Sequence, residues 1–245
     1  GNTLREIALE QLGITTKELK VIVSDNNRKL VSLFHKSITE NELLYLDDIA
    51  RIKVLSNSNG KLKFTVTPKG EKNIVLTTPL PGKYQVRNAA AGYFIVKQFL
   101  FETGNKFQPG KFKKGISDVK KNTGYFGRLE LFNKNGKQYL LDVSHNPDGI
   151  KNSITSVKNI GFKPDVVIFG IMSDKDHKSA LKEILPFSKN IILTKPDYER
   201  AQEPGILYSD SLKMKSTNNL MLDNSVKGAL EIADKMNYKR IMIIG

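Results

Sequence analysis

Residues 165–171 read Asp-Val-Val-Ile-Phe-Gly-Ile. Four consecutive apolar residues, three of them β-branched, leave no polar face, so the segment reads as a strand covered on both sides. Ile191-Ile192-Leu193-Thr194-Lys195 and Arg240-Ile241-Met242-Ile243-Ile244 repeat the pattern, and weaker versions lie at 139–143 and 220–222. Between them the apolar residues recur at helical spacing, predicting helices at about 148–159, 177–187, 209–214 and 226–236. Strands alternating with helices require crossover connections and a mostly parallel sheet with helices on both faces.

Upstream of residue 126 the pattern changes. Thr3 and Glu6 have capping-box spacing ahead of a helix at 3–12, with Gly13 placed to close it. Residues 19–24 predict a strand, and Asp25 can cap a helix running to about His35. Segments 51–56, 61–67 and 73–78 alternate apolar with polar residues and are broken at 57–60 and 69–70, which predicts an antiparallel meander. A helix follows at 85–102, with Val86, Ala89, Ala90, Tyr93, Phe94, Val96 and Leu100 on one face. Lys111 to Lys121 is a basic helix or loop. The chain therefore reads as two domains, an α+β unit at 1–125 and a Rossmann-like α/β unit at 126–245.

The 245 residues are 39% hydrophobic and 26% charged, a globular balance. Cysteine is absent, which excludes disulfides, thiolate metal sites and a cysteine nucleophile. No apolar run is long enough to span a membrane and no signal peptide opens the chain, so a cytoplasmic location is expected. The start without Met and the end straight after an apolar strand predict a piece cut from a larger protein. Net charge is +14, with 15 basic and 3 acidic side chains at 51–125, leaving 24 basic and 22 acidic elsewhere. That imbalance suits an anionic partner or a lysine-decorated surface.

Ligands of open α/β sheets bind beyond the carboxyl ends of the strands. Three segments fall there: 141–147 with Asp142, His145 and Asn146, 170–177 with Lys175, and 194–201 with Arg200. Gly127-Arg128 lies just upstream, and Gln85 and Asn88 open the long helix. Each has a structural alternative. Asp142 and Asn146-Pro147 can shape a turn, Asn88 can be a helix-surface polar group, and Lys175 can be solvated. His35, His145 and His177 can all be structural.

In this order the segments resemble the later half of the folylpolyglutamate synthase/dihydrofolate synthase family of the Mur ligase superfamily. The resemblance rests on Gly82, Gln85, Asn88 and Ala91 or Gly92, then Gly127-Arg128, then Asp142-Val143-Ser144-His145-Asn146-Pro147. Asp174-Lys175-Asp176 and Arg200-Ala201 complete it. It implies that 1–125 is the remnant of the central ATP-binding domain and 126–245 the C-terminal domain. It also implies ATP-driven amide formation, in which a folate-type carboxylate becomes an acyl phosphate and the amine of L-glutamate displaces phosphate. By the family's pattern Gln85, Asn88, Arg128 and Asp142 would bind ATP, with Asn88 at adenine, Arg128 at the phosphates and Asp142 at the ribose or nucleotide. His145 and Asn146 would lie where acyl phosphate meets amine, and Lys175 and Arg200 would bind substrate. The catalytic set would be Arg128, His145 and Lys175.

ATP and Mg²⁺ are the implied cofactors, with the metal ligands outside these residues, and the protein would act as a monomer. The departures are specific. No Gly-x-x-x-x-Gly-Lys-[Ser/Thr] phosphate loop occurs, and the family's bridging lysine is replaced by Gln11 in Glu10-Gln11-Leu12-Gly13-Ile14. Ser144 stands where the family has Ala. A chain with these gaps supplies half a site and is expected to be inactive alone. The rival readings are a Mur-type cell-wall ligase, a basic nucleic-acid-binding fragment and a non-catalytic regulator. No nucleic-acid motif supports the second of these three rivals.

Overall fold

The computed structural model describes residues 3–15, 19–24, 28–38, 42–58, 61–215 and 217–245. They form two compact units, the first built mainly on residues up to 122 and the second on 123–245 together with the short segment 80–82.

In the first unit, α1 (Leu4–Leu12) starts where the Thr3 Oγ1 accepts the Glu6 N–H at 3.2 Å. Gly13 does not close it in the left-handed conformation: its φ is −58°, and its N–H simply continues the helix turn onto the Glu10 carbonyl. β1 (Lys20–Val23), α2 (Arg28–Ser37) and β2 (Glu42–Tyr45) make a parallel pair, with Val21 opposite Leu43 and Val23 opposite Tyr45. The expected Asp25 cap lies outside the described residues. Ala8, Val23 and Phe34 form the core of this part.

After α3 (Leu46–Ile49) come β3 (Ala50–Ser58), β4 (Lys61–Pro68) and β5 (Ile74–Thr78), hydrogen-bonded in that order, with β4 and β5 antiparallel. Alternate residues of β4 point inward, so Leu62, Phe64 and Val66 are buried under α4 (Lys83–Glu102). The helix presents Val86, Ala90 and Tyr93 to them. Val96 is not part of that face: it is 38% exposed and lines a groove with Leu100, Phe107, Phe112 and Ile116. The basic stretch folds as α5 (Pro109–Ser117) and α6 (Val119–Thr123).

The second unit opens with the hairpin β6 (Glu130–Lys134) and β7 (Lys137–Asp142). Its turn residues Asn135 and Gly136 both have positive φ, the twist that a two-residue hairpin needs. Then follow α7 (Pro147–Asn159), β8 (Val166–Phe169), α8 (His177–Ile184), β9 (Asn190–Leu193), α9 (Pro204–Lys213), β10 (Asn219–Leu222), α10 (Val226–Lys235) and β11 (Arg240–Ile244). The sheet order is β10-β9-β8-β11-β7-β6, parallel except for β6.

The final strand is therefore central, paired on both sides by β7 and β8, and is not an edge. α9 begins five residues earlier than expected, at Pro204, because a proline is well placed at a first helical position, where no N–H is needed. The two-sided burial read from the sequence has a concrete form. Val167, Phe169, Ile191, Leu193 and Met242 face α7, α8 and α9, whereas Val166, Ile168, Ile192 and Ile241 face α10. No described helix is long and apolar enough to cross a membrane.

Candidate active site at the strand ends

The carboxyl ends of β7, β8, β9 and β11 converge. Gly245 N–H donates to the Asp142 carbonyl at 3.2 Å, Gly170 N–H to Ile244 at 3.3 Å, and Thr194 N–H to Phe169 at 2.8 Å. Gly170 is needed here because a Cβ would lie 2.8 Å from the Thr194 carbonyl oxygen. Beyond these ends is a cleft of about 490 Å³, lined by Arg128, Asp142, His145, Lys175, Thr194 and Arg200 over an apolar floor that includes Ile171 and Ile243.

Arg128 is carried by a backbone fixed at both flanks. Gly127 has φ +75°, its N–H donates to Glu130 Oε2 at 2.9 Å, and its carbonyl accepts Val143 N–H at 2.8 Å. A Cβ there would meet Val143 Cγ1 at 2.9 Å. Leu129, left-handed at φ 49° despite its side chain, donates its N–H to Asp142 Oδ2 at 2.9 Å. That hydrogen bond offsets the one to two kcal/mol, roughly, that an L-residue loses in this conformation.

Asp142, expected at the ribose or nucleotide, is one of the cleft residues. It is 1% exposed, and its Oδ1 accepts Ser144 N–H at 3.0 Å and Ser153 Oγ–H at 2.8 Å. With three protein donors on two oxygens, the carboxylate acts in this structure as a brace for the Arg128 turn and the 143–146 loop. The Ser144 departure is absorbed in the same network, its hydroxyl 3.0 Å from that of Ser153.

His145 is exposed, with Nδ1 3.1 Å from the Val143 carbonyl oxygen. A carbonyl can only accept, so in this contact Nδ1 carries the proton and Nε2 is the acceptor in the neutral ring. Asn146 is not among the cleft residues. It caps α7, its Oδ1 accepting Gly149 N–H at 2.8 Å, with Pro147 at the first helical position.

Lys175 and Arg200, which lie on separate loops, are brought together by backbone pairing. Met172 and Ala201 form an antiparallel bridge, Ser173 N–H donates to the Arg200 carbonyl, and Gln202 N–H donates to that of Ile171, both at 2.8 Å. Lys175 Nζ contacts Asp174 at 3.0 Å, and this hydrogen bond holds the Asp174 carboxyl below its ordinary range. The Arg200 guanidinium lies over the Tyr198 ring, 5.5 Å from its centroid.

Gln85 and Asn88 belong to the first unit, where the buried Gln85 Oε1 accepts from Asn88 Nδ2 at 3.2 Å. His177 bonds Asp210 at 3.0 Å between α8 and α9. The sequence reading missed Ser153 and Thr194. A serine within the apolar stripe of Ile150, Ile154 and Val157 was a usable signal, since a buried hydroxyl needs a partner. Thr194 opens segment 194–201, read from the sequence as lying beyond a strand end, but the residue itself gives no further signal, because threonine is ordinary in a strand. The described residues contain no group of three or more His, Cys, Asp or Glu able to hold a metal ion.

Residues 127–245 match the family model described as Mur ligase, glutamate ligase domain. The folylpolyglutamate synthase of Lacticaseibacillus casei is 27% identical over 205 residues, spanning 82% of this chain and 46% of that protein. A UDP-N-acetylmuramoyl-L-alanyl-D-glutamate–2,6-diaminopimelate ligase of Clostridium perfringens is 26% identical over 202 residues, 80% of this chain and 39% of the other. Mycobacterium tuberculosis folylpolyglutamate synthase complexed with ADP and AMPPCP superposes with a TM-score of 0.81 at 18% identity, covering 100% of this chain and 57% of that one. The Thermotoga maritima folylpolyglutamate synthase gives 0.72 at 22% identity, covering 99% and 55%. The fold is thus the one these enzymes share, and the chain spans about half the length of the relatives it matches.

Proposed function

We propose that the chain, whose residues 127–245 match the Mur ligase glutamate ligase domain model, supplies the amino-acid half of an ATP-dependent amide ligase that joins L-glutamate to a folate-type carboxylate. The observation that carries this reading is the pairing of loops 170–176 and 194–203, which puts Lys175 and Arg200 on one cleft. Two cations of different geometry suit an amino acid with two carboxylates: a planar fork for one and a point charge for the other.

ATP, when bound, supplies the phosphoryl group that activates the acceptor carboxylate. Arg128, fixed by its braced turn, offers a permanent charge to phosphate oxygens at the rim of the cleft. His145, with Nδ1 donating to Val143, offers Nε2 to take a proton from the ammonium of the incoming amino acid, freeing the amine that attacks. Asn88 and Gln85 are proposed for the nucleotide side. Mg²⁺ is not assigned residues of this chain, since the described side chains offer no cluster to hold it.

The diaminopimelate ligases among the relatives support a second reading, a cell-wall ligase fragment. Phosphate release by the natural protein that carries this chain separates the two. The first reading expects release that depends on L-glutamate and a folate-type acceptor. Release that depends instead on diaminopimelate and a UDP-linked acceptor would transfer the assignment to the second.

A further inference from the structure

The first unit holds a second concave site that the proposed function leaves unused. A groove of about 520 Å³ lies between α4 and α5 and shares no residue with the strand-end cleft. Small-molecule sites typically span roughly 300–1,000 Å³. The lining is divided by chain position. Asn105, Lys106, Gln108 and Lys111 come from the connection between the two helices and the first turn of α5. The helix walls are apolar, with Val96 and Leu100 one turn apart on α4 and Phe112 and Ile116 one turn apart on α5. Phe107 and Phe112 are fixed by the buried Tyr93, which each meets nearly edge-on, with ring centroids 5.2 and 5.6 Å away.

The described lining holds two lysines and no acid, and residues 105–114 carry four lysines and no Asp or Glu. An apolar body is favoured by the walls, a negative head is attracted by the lysines, and a positive head is repelled. The Phe107 and Phe112 rings are tilted by 48° to one another. They frame no parallel slot for a flat ring, whereas a flexible chain can follow them. We propose that this groove binds the acyl chain of a free fatty carboxylate, with the carboxylate held by Lys106 and Lys111. That gives part of the basic excess at 51–125 a definite anionic partner. A membrane surface fits less well, because the apolar rows line a concavity, whereas membrane-surface helices present a protruding apolar face.

The test is a calorimetric titration of the purified chain at low salt with decanoate, decanol and decylammonium, each kept below its micelle-forming concentration. Two variants are compared with wild type. Lys106→Gln/Lys111→Gln removes the head-group charges. Gly115→Leu fills the groove: Gly115 lines it, a Cβ there meets nothing within 4 Å, and leucine is the better helix former, so this variant should melt no lower than wild type. Decanoate is expected to bind wild type about tenfold more tightly than decanol, within what two exposed charge contacts supply, and decylammonium more weakly than either. The double lysine variant should lose that tenfold for decanoate and leave decanol unchanged. Gly115→Leu should weaken both by about tenfold or more.

Equal affinity of wild type for decanoate and decanol overturns the carboxylate assignment. Decanoate binding that survives Gly115→Leu overturns the groove as its site. Failure of decanoate to bind overturns the proposal, and if vesicles of anionic phospholipid bind instead, the basic surface is a membrane contact.

Discussion

Asp142 shows how much one side chain organises. Its carboxylate joins the left-handed Leu129, the Ser144 amide and the Ser153 hydroxyl, and so ties the Arg128 turn to α7. In Asp142→Asn one oxygen becomes an N–H donor facing another donor, and the charge that strengthens the remaining bonds is lost. We expect a loss of about 2–4 kcal/mol in urea unfolding, within the usual range for breaking a buried charged network. Ser153→Ala should cost less, about 1–2 kcal/mol. Arg128→Ala should behave oppositely. Its side chain is partly exposed, so stability should hold while kcat/KM for ATP in the natural protein falls about a hundredfold or more. An unchanged value would remove Arg128 from the phosphate site. The sequence makes both residues visible as candidates, but not the bracing by Asp142, whose partners Ser153 and Leu129 lie eleven and thirteen residues away.

Among the elements, the legible ones were those whose burial leaves a mark on local pattern. β8, β9 and β11 are apolar on both faces and read as strands without help. β2 and α3 were missed because 42–49 reads Glu-Leu-Leu-Tyr-Leu-Asp-Asp-Ile, which fits neither a period of two nor one of 3.6. The central place of β11 was hidden as well, since strand order is set by crossovers and leaves no local periodicity. Asp165 secures that arrangement: it accepts the Lys239 and Arg240 N–H groups and the Arg240 guanidinium. Partial burial pushes its carboxyl up, but these hydrogen bonds outweigh it and hold it below its ordinary value. A depressed carboxyl stabilises the fold above the unfolded value of about 3.9 and loses that contribution as pH falls through the folded one. Urea midpoints should therefore drop on acidification below about pH 4, and Asp165→Asn should flatten part of that slope. An identical slope in the variant would count against it. At the cleft, Gly170→Ala should cost about 1–3 kcal/mol, because its Cβ meets the Thr194 backbone and β8 and β9 must shift. A variant with unchanged stability would show that the strand ends are looser than this packing implies.

For the whole molecule, the proposed function makes the chain a binding half. The second unit carries a cleft with fixed cations, yet the 245 residues contain no glycine-rich phosphate loop, and the described side chains form no metal cluster. The Gln11 side-chain amide cannot form a carbamate. Arg128 and a few hydrogen bonds, each worth about 1.5–3 kcal/mol at best, must work against the entropy of fixing ATP. Nucleotide affinity of the chain alone should be no tighter than roughly millimolar. The most direct test is phosphate release by the purified chain supplied with Mg-ATP, L-glutamate and a folate-type acceptor. The account predicts release indistinguishable from background. Glutamate-dependent release that disappears in Arg128→Ala would contradict it.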